Sequence, residues 1–136
     1  MSNELRFSKI VKIEESTINQ KMQLSASEQD LKYLAERFDI FRINKLELEY
    51  IITLKDDIPN AYTLICRLVS NVTKFLINDF EENTEIDEKF DVVLLEEEVA
   101  KNHMEQLEDM DIEIINEQEF DIAEIAAQYL SLCVYM

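Results

Sequence analysis

Between Lys45 and Leu54 apolar and polar residues alternate almost without fault. Leu46, Leu48, Tyr50, Ile52 and Leu54 fall in one phase, and Glu47, Glu49 and Thr53 in the other. A period of two sends these sets to opposite faces of a strand, so the stretch predicts an antiparallel strand with one buried and one wet face. Burial of a large apolar side chain is worth ~1.5–3 kcal/mol, which makes this face a major part of the expected core. Other stretches predict strands less cleanly. Residues 5–13 contain β-branched positions, and Lys21 to Ser25 places Met22 and Leu24 on one side. Residues 61–77 are β-rich but too long for an average strand, so a bulge or break is expected near Ser70-Asn71. Asn78 to Asn83 predicts a turn, and Glu85 to Leu95 a strand with Ile86, Phe90, Val92 and Leu94 in phase. Ile112 to Ile115 predicts one more short strand.

The period changes to that of a helix in two places. Ser25 to Glu28 has the form of a capping box, with Ser25 as N-cap and Glu28 reaching back from N3. Leu31, Leu34, Ala35 and Phe38 follow at helical spacing. Asp121 predicts the N-cap of a second helix that carries Ile122, Ile125, Ala126 and Tyr129. Between Glu96 and Asp111 the pattern is ambiguous. Val99, His103, Leu107 and Met110 permit a short amphipathic helix, and an acidic mobile loop fits as well. Asp56 to Asn60, with the only proline, has turn chemistry. Successive strands joined by short turns pair antiparallel. The expected architecture is therefore α+β: one domain over residues 1–136, with an antiparallel meander-type sheet and two main helices packed on one face.

Composition narrows the function classes. Hydrophobic residues make up 47% of the 136, which argues against general disorder. No stretch approaches the ~20 apolar residues of a membrane span, and Met1 to Lys12 has no signal-peptide core, so a cytoplasmic protein is expected. Cys66 and Cys133 form no CxxC pair and are expected as small buried hydrophobes rather than a disulfide. The chain has no glycine. The P-loop, the dinucleotide-binding fingerprint, the EF-hand loop and the GxSxG elbow thus all lack required positions. Turns must rely on Asn and Asp, the residues next most tolerant of positive φ.

Charge is unevenly spread. Residues 1–75 balance, with 11 acidic and 11 basic side chains, whereas residues 76–136 hold 19 acidic against only Lys89 and Lys101. The second half would repel a phosphate backbone and attract a basic partner, less so at high salt. Solubility alone accounts for such a surface equally well. The candidate partner-binding acids are Glu96, Glu97, Glu98, Glu105, Glu108 and Asp109. Direct contact with RNA is expected, if at all, through the N-terminal half. There Arg6, Lys9, Lys12, Arg37, Arg42 and Lys45 form a candidate basic patch, offset by Glu4, Glu36 and Asp39.

Catalytic constellations are poorly supplied. His103 is the single histidine; Glu98 and Glu105 lie near it in sequence, and a solvated histidine among acids is the simpler reading. Cys66 would need to meet His103 in space to act as a nucleophile, and its apolar neighbours would raise its pKa. Glu96 to Glu98, Asp109, Asp111 and the Asp56-Asp57 pair are charge runs, which do not by themselves hold ligands at a metal's geometry. The expectation is a non-enzymatic protein with no catalytic residue, cofactor or metal.

The order of segments resembles the YceD family, the large ribosomal RNA subunit accumulation proteins of bacteria and plastids. Arg6 to Lys9 is similar to that family's N-terminal FSR segment. Leu24 to Glu28, followed by Leu34 to Phe38, resembles its LxAxxxE…LAxRF stretch, and Ile43 to Leu46 its next block. Residues 84–93 resemble its IxExFxV strand, and Phe120 to Leu130 its closing IDLGExxxxxL helix. The likeness spans essentially the whole chain, with three departures. Phe75 stands where the family's central VTQxC segment has cysteine, Ala123 where it has glycine, and the usual Asp-Pro-Tyr-Pro-like ending is missing. The resemblance implies a non-enzymatic factor supporting 23S rRNA accumulation and processing and large-subunit assembly. Its expected partner is a basic ribosomal protein or an rRNA-processing factor. Two alternatives stand beside it. One is a generic acidic protein-interaction domain or homodimer unrelated to ribosomes. The other is a carboxylate- and metal-dependent hydrolase, which would need a pocket of three or more convergent carboxylates.

Overall fold

Alternation over Leu46 to Ile52 builds the inner face of a long strand, and the rest of the sheet assembles around it. The computed structural model describes residues 7–75 and 80–134. The elements are β1 (Ile10–Lys12), β2 (Met22–Ser25), α1 (Glu28–Arg37), β3 (Arg42–Leu54), β4 (Ala61–Phe75) and β5 (Glu81–Leu95). They continue as α2 (Glu97–Asn102), α3 (Met104–Leu107), β6 (Ile112–Ile114), β7 (Glu119–Asp121) and α4 (Ile122–Val134). The main sheet has the order β2-β3-β4-β5-β6, and its first four strands form the expected antiparallel meander. β6 departs from it by running parallel to β5. A parallel neighbour requires a crossover, and α2 and α3 supply it. β1 and β7 pair separately, with Val11 opposite Phe120.

Leu48, Ile52, Leu64, Leu68 and Leu94 cover the inner face of the sheet and are fully buried. α1 packs on β3 through Leu34, and α4 packs on β4 with Ile122, Ala126 and Leu130 buried. Leu54 is in phase with this face yet 60% exposed, because it is the last residue of β3, beyond the reach of the helices. A smaller cluster forms on the outer face at one end of the sheet. There Ile58, Ala61, Val93, Leu95 and Leu107 are buried, with Val99 and Ala100 packed against them. The ambiguous segment over Glu96 to Asp111 is therefore two short helices pinned to the outer face.

Three local expectations are corrected. The capping box lies two residues later: Asp30 N–H donates to Ser27 Oγ at 3.2 Å, and Ser27 N–H donates to the Asp30 carboxylate at 2.9 Å. Ser25 is held back by its pairing with Glu47 in β2, and the Ala26 N–H bonds to Leu46 O. The bulge is not in β4, which runs unbroken in register with β5. It is on β3, whose register shifts between Ile43 and Lys45 and so leaves Asn44 as the extra residue opposite Asn71 and Val72. β4 carries ladders on both edges, whereas β3 at Asn44 lies beyond its pairing with β2, so the less constrained strand absorbs the insertion. β5 also begins at Glu81 rather than Glu85, placing Glu81 to Asn83 in the strand. The rest of the expected turn falls mostly outside the described residues.

Positive φ occurs at Asn19, Asp39 and Asn60, the residue types expected to replace glycine. It also occurs at Glu117 and Gln118, the consecutive central residues of a tight turn bridged by Asn116 and Glu119. Two left-handed residues in succession match a type I′ turn.

Candidate docking surface

All six acids singled out in the sequence project from the helical cap. Glu96 is the N-cap of α2 and makes no side-chain capping bond, while Glu97 and Glu98 occupy its first turn. Glu105 lies in α3, and Glu108 and Asp109 follow it. Every one is exposed, and only Glu97 has a basic partner among the described residues, Lys101 at 3.4 Å one helical turn on. Val99, Ala100 and Leu107 anchor this cap and leave the carboxylates in water, where they repel one another weakly.

A second acidic stretch, with no denser charge run to mark it in the sequence, lies along β5. Glu81, Glu82, Glu85, Asp87, Glu88 and Asp91 are exposed along β5. β6 pairs only with Val93 to Leu95, so from Glu81 to Val92 the far edge of β5 has no strand partner among the described residues. Charge density is local and marks Glu96–Glu98 in the sequence; the importance of β5 depends on which strand lacks a neighbour, and that is a property of topology. Of these acids only Asp87 is in an ion pair among the described residues. Arg67 grips it with bonds of 2.9 and 2.8 Å across the outer face and holds its carboxyl below the usual range.

The described residues of the candidate basic patch lie on β1 and the residues just before it, on α1 and on β3. Arg6 lies outside the described residues. Lys9 and Lys12 are exposed on or beside β1, and Arg37 is forked onto Glu124 of α4, which raises its pKa. Lys45 stands 3.9 Å from Glu47. Arg42 donates from Nε to Asn44 Oδ1 at 2.7 Å, joining an amide ladder. In that ladder Asn44 reaches Asn71 and Thr73, and Asn71 in turn reaches Asn83 and Glu85. The bulge that places Asn44 there thus ties three strands together on the outer face. Beside it Phe41 and Phe75 pack with ring centroids 4.0 Å apart, both substantially exposed, and the Arg42 guanidinium lies over Phe41.

The N-terminus of α4 is held more tightly. Asp121 accepts from Ser8 Oγ at 2.6 Å and from the backbone N–H groups of Lys9, Ala123 and Glu124. Burial pushes its carboxyl up, but these four bonds outweigh it and leave the pKa below the usual value. Nearby Glu113 is raised, first by burial and then by the charges of Glu124 and Asp121.

Reactive groups are kept apart. Burial pushes the Cys66 thiol up to about 12, far from a thiolate at neutral pH. Its side chain is on the inner face, whereas His103 joins α2 and α3 on the outer-face cap. His103 Nδ1 lies 2.9 Å from Val99 O rather than on Glu98 or Glu105. Cys66 and Cys133 are both free. Among the described residues no group of three or more His, Cys, Asp and Glu side chains converges to hold a metal ion, and no helix is long and apolar enough to cross a membrane. No family model matches the chain, and neither does a curated protein or a solved structure. What the fold and surface define is a class: an α+β domain whose second half presents acids on a helical cap and along an open strand.

Proposed function

We propose that this protein is a non-enzymatic docking factor that captures a basic polypeptide on its acidic half. Its setting is assembly of the large ribosomal subunit, where the captured partner is a basic ribosomal protein or an rRNA-processing factor. The observation that carries the docking reading is the state of the acids after residue 75. Nineteen face two basic residues in that half, and among the described residues only Asp87, Glu97 and Glu124 of them form an ion pair. A carboxylate surface left unneutralised by its own chain attracts cations from solution. The ribosomal setting rests on the resemblance of the ordered segments. A protein partner is favoured over RNA because Arg37 and Lys45 are engaged with acids of the same chain and Arg42 with the amide ladder.

The test is co-sedimentation with large-subunit precursors across a salt series, for the wild type and for Glu96→Gln, Glu97→Gln and Glu98→Gln combined. Association is expected to weaken steadily with salt and to weaken further in the triple variant. Salt-insensitive binding that ignores the three neutralisations would overturn the docking reading. Capture of a basic peptide without any association with the precursors would overturn the ribosomal setting alone.

A further inference from the structure

We infer that the open edge of β5 receives an added strand, and that the strand it takes is an extended segment alternating basic and apolar residues. The inference rests on the basic-partner reading and gives it a place and a geometry. The phase of the edge follows from its last residues. Val93 N–H donates to Asp111 O, and Leu95 O accepts from Ile115 N–H, so the odd-numbered residues turn their backbone groups away from β4. Pairing between β4 and β5 is continuous, and the alternation therefore runs back through Asp91, Lys89, Asp87, Glu85, Asn83 and Glu81. An incoming strand along this line would continue the line of β6, which occupies the same edge beside Val93 to Leu95.

Side chains on the two sides of the edge specify the occupant. On the outer face stand Glu81, Glu85, Asp87 and Asp91, with Lys89 the single base among them, and the acids favour Lys or Arg opposite them. On the inner side, between β5, β6 and α4, a shallow concavity of about 190 Å³ is lined by Phe90, Val92, Ile125, Tyr129 and Leu132, with the acids Asp111 and Glu113 at its β6 side. Phe90 and Tyr129 are stacked with centroids 3.7 Å apart, and Leu132 is 61% exposed. An apolar side chain of an added strand beside Phe90 and Val92 would fall into this concavity, while further back the inner side carries Ile86 between the exposed Glu82 and Glu88 and the basic side chains meet the outer acids. A second copy of the chain is a poor occupant, because edge-to-edge pairing would set one acidic row against another, and like charges directly opposite are destabilising.

The experiment measures binding of a short peptide alternating Lys and Val in three forms: unmodified, N-methylated at alternate residues, and N-methylated throughout. All carry the same charge, but the first two keep a hydrogen-bonding edge and the last has none. The first two are expected to bind within about threefold of each other and the last more than about tenfold more weakly. Amide exchange should slow at Glu85, Asp87, Lys89 and Asp91 on binding. Lys89→Pro removes one outward N–H at a position where an edge strand tolerates proline, and it makes the edge more negative. Strand addition predicts weaker binding to this variant, and simple charge attraction predicts stronger. Equal, salt-sensitive binding of all three peptides would overturn strand addition and leave the docking reading standing. No binding by any of them would overturn both. Slowed exchange at the same amides in concentrated protein without peptide would assign the edge to a second copy and overturn the inference.

Discussion

β4 and β5 are neighbours in one sheet and are equally long, 15 residues each, but they are built for different tasks. β4 is paired on both edges along most of its length and buries Leu64, Cys66, Leu68 and Val72 on the inner face. Among the described residues β5 is paired fully on one side and for only three residues on the other; its first half is acidic, and from Phe90 onward it is mostly buried. An exposed strand edge is a template for indiscriminate pairing, and charge is a common means of blunting it. The acids of β5 thus restrict which partners can approach, while β4 and the end of β5 supply the stability. Leu68 and Glu88 make the contrast testable, since they are opposite each other in the ladder. Leu68→Ala removes a fully buried side chain and should cost about 2–5 kcal/mol. Glu88→Ala, at the paired position, should change stability by no more than about 0.5 kcal/mol. Chemical denaturation of both variants measures the difference, and comparable losses would mean that the first half of β5 is structural after all.

The acids themselves divide in the same way. Those of the β5 edge and the helical cap are mostly left to solvent, whereas Asp121 accepts four hydrogen bonds and fastens the residues just before β1 to the start of α4. Its Ala substitution should cost about 1–2 kcal/mol at neutral pH, the range of a lost N-cap, with the bonds from Ser8 and Lys9 lost as well. The sign with pH follows from the lowered pKa. A carboxyl depressed in the folded state stabilises it above the unfolded value of about 3.9, and that contribution disappears as pH falls through the folded value. The gap between wild type and Asp121→Ala should therefore narrow as the pH drops below about 4, as followed by thermal melts across a pH series. A gap of constant size would mean that the side chain acts by packing and not as a carboxylate.

Where a signal is local, the fold could be read before the structure. The alternation of β3 and the Asp121 cap each lie within a few residues, and both form as expected. The capping box slipped by two because two serines offer the same chemistry, and only the pairing of Ser25 with Glu47 decides between them. A long run reveals a mismatch without saying which partner carries the extra residue, so the bulge expected in β4 lies on β3. Pairing of β1 with β7 was invisible: three residues at each end of the chain meet across more than a hundred others. The acidic bias was plain in the sequence, but the open edge was not, since an unpaired strand is defined by the neighbour it lacks. Arg67 falls in the same category. It reads as a polar interruption of an apolar run, and only the register shows that it faces Asp87 diagonally across the ladder.

That pair leads to the smallest expected effect, and the most discriminating one for the contrast between the strands. Arg67 is the basic residue of β4 that neutralises part of β5, and its bond to Asp87 is the main cause holding that carboxyl below the usual range. Both side chains are largely in water, where such a pair contributes little to stability. Arg67→Gln should therefore leave the denaturation midpoint almost unchanged, while the Asp87 carboxyl returns toward the ordinary carboxylate value in an NMR titration. The same change adds one unneutralised acid to the edge, so a basic peptide should bind somewhat more tightly at low salt and equally at high salt. A large loss of stability would move Arg67 into the structural half of the comparison. Unaltered peptide affinity at low salt would mean that the partner never meets the acids of β5.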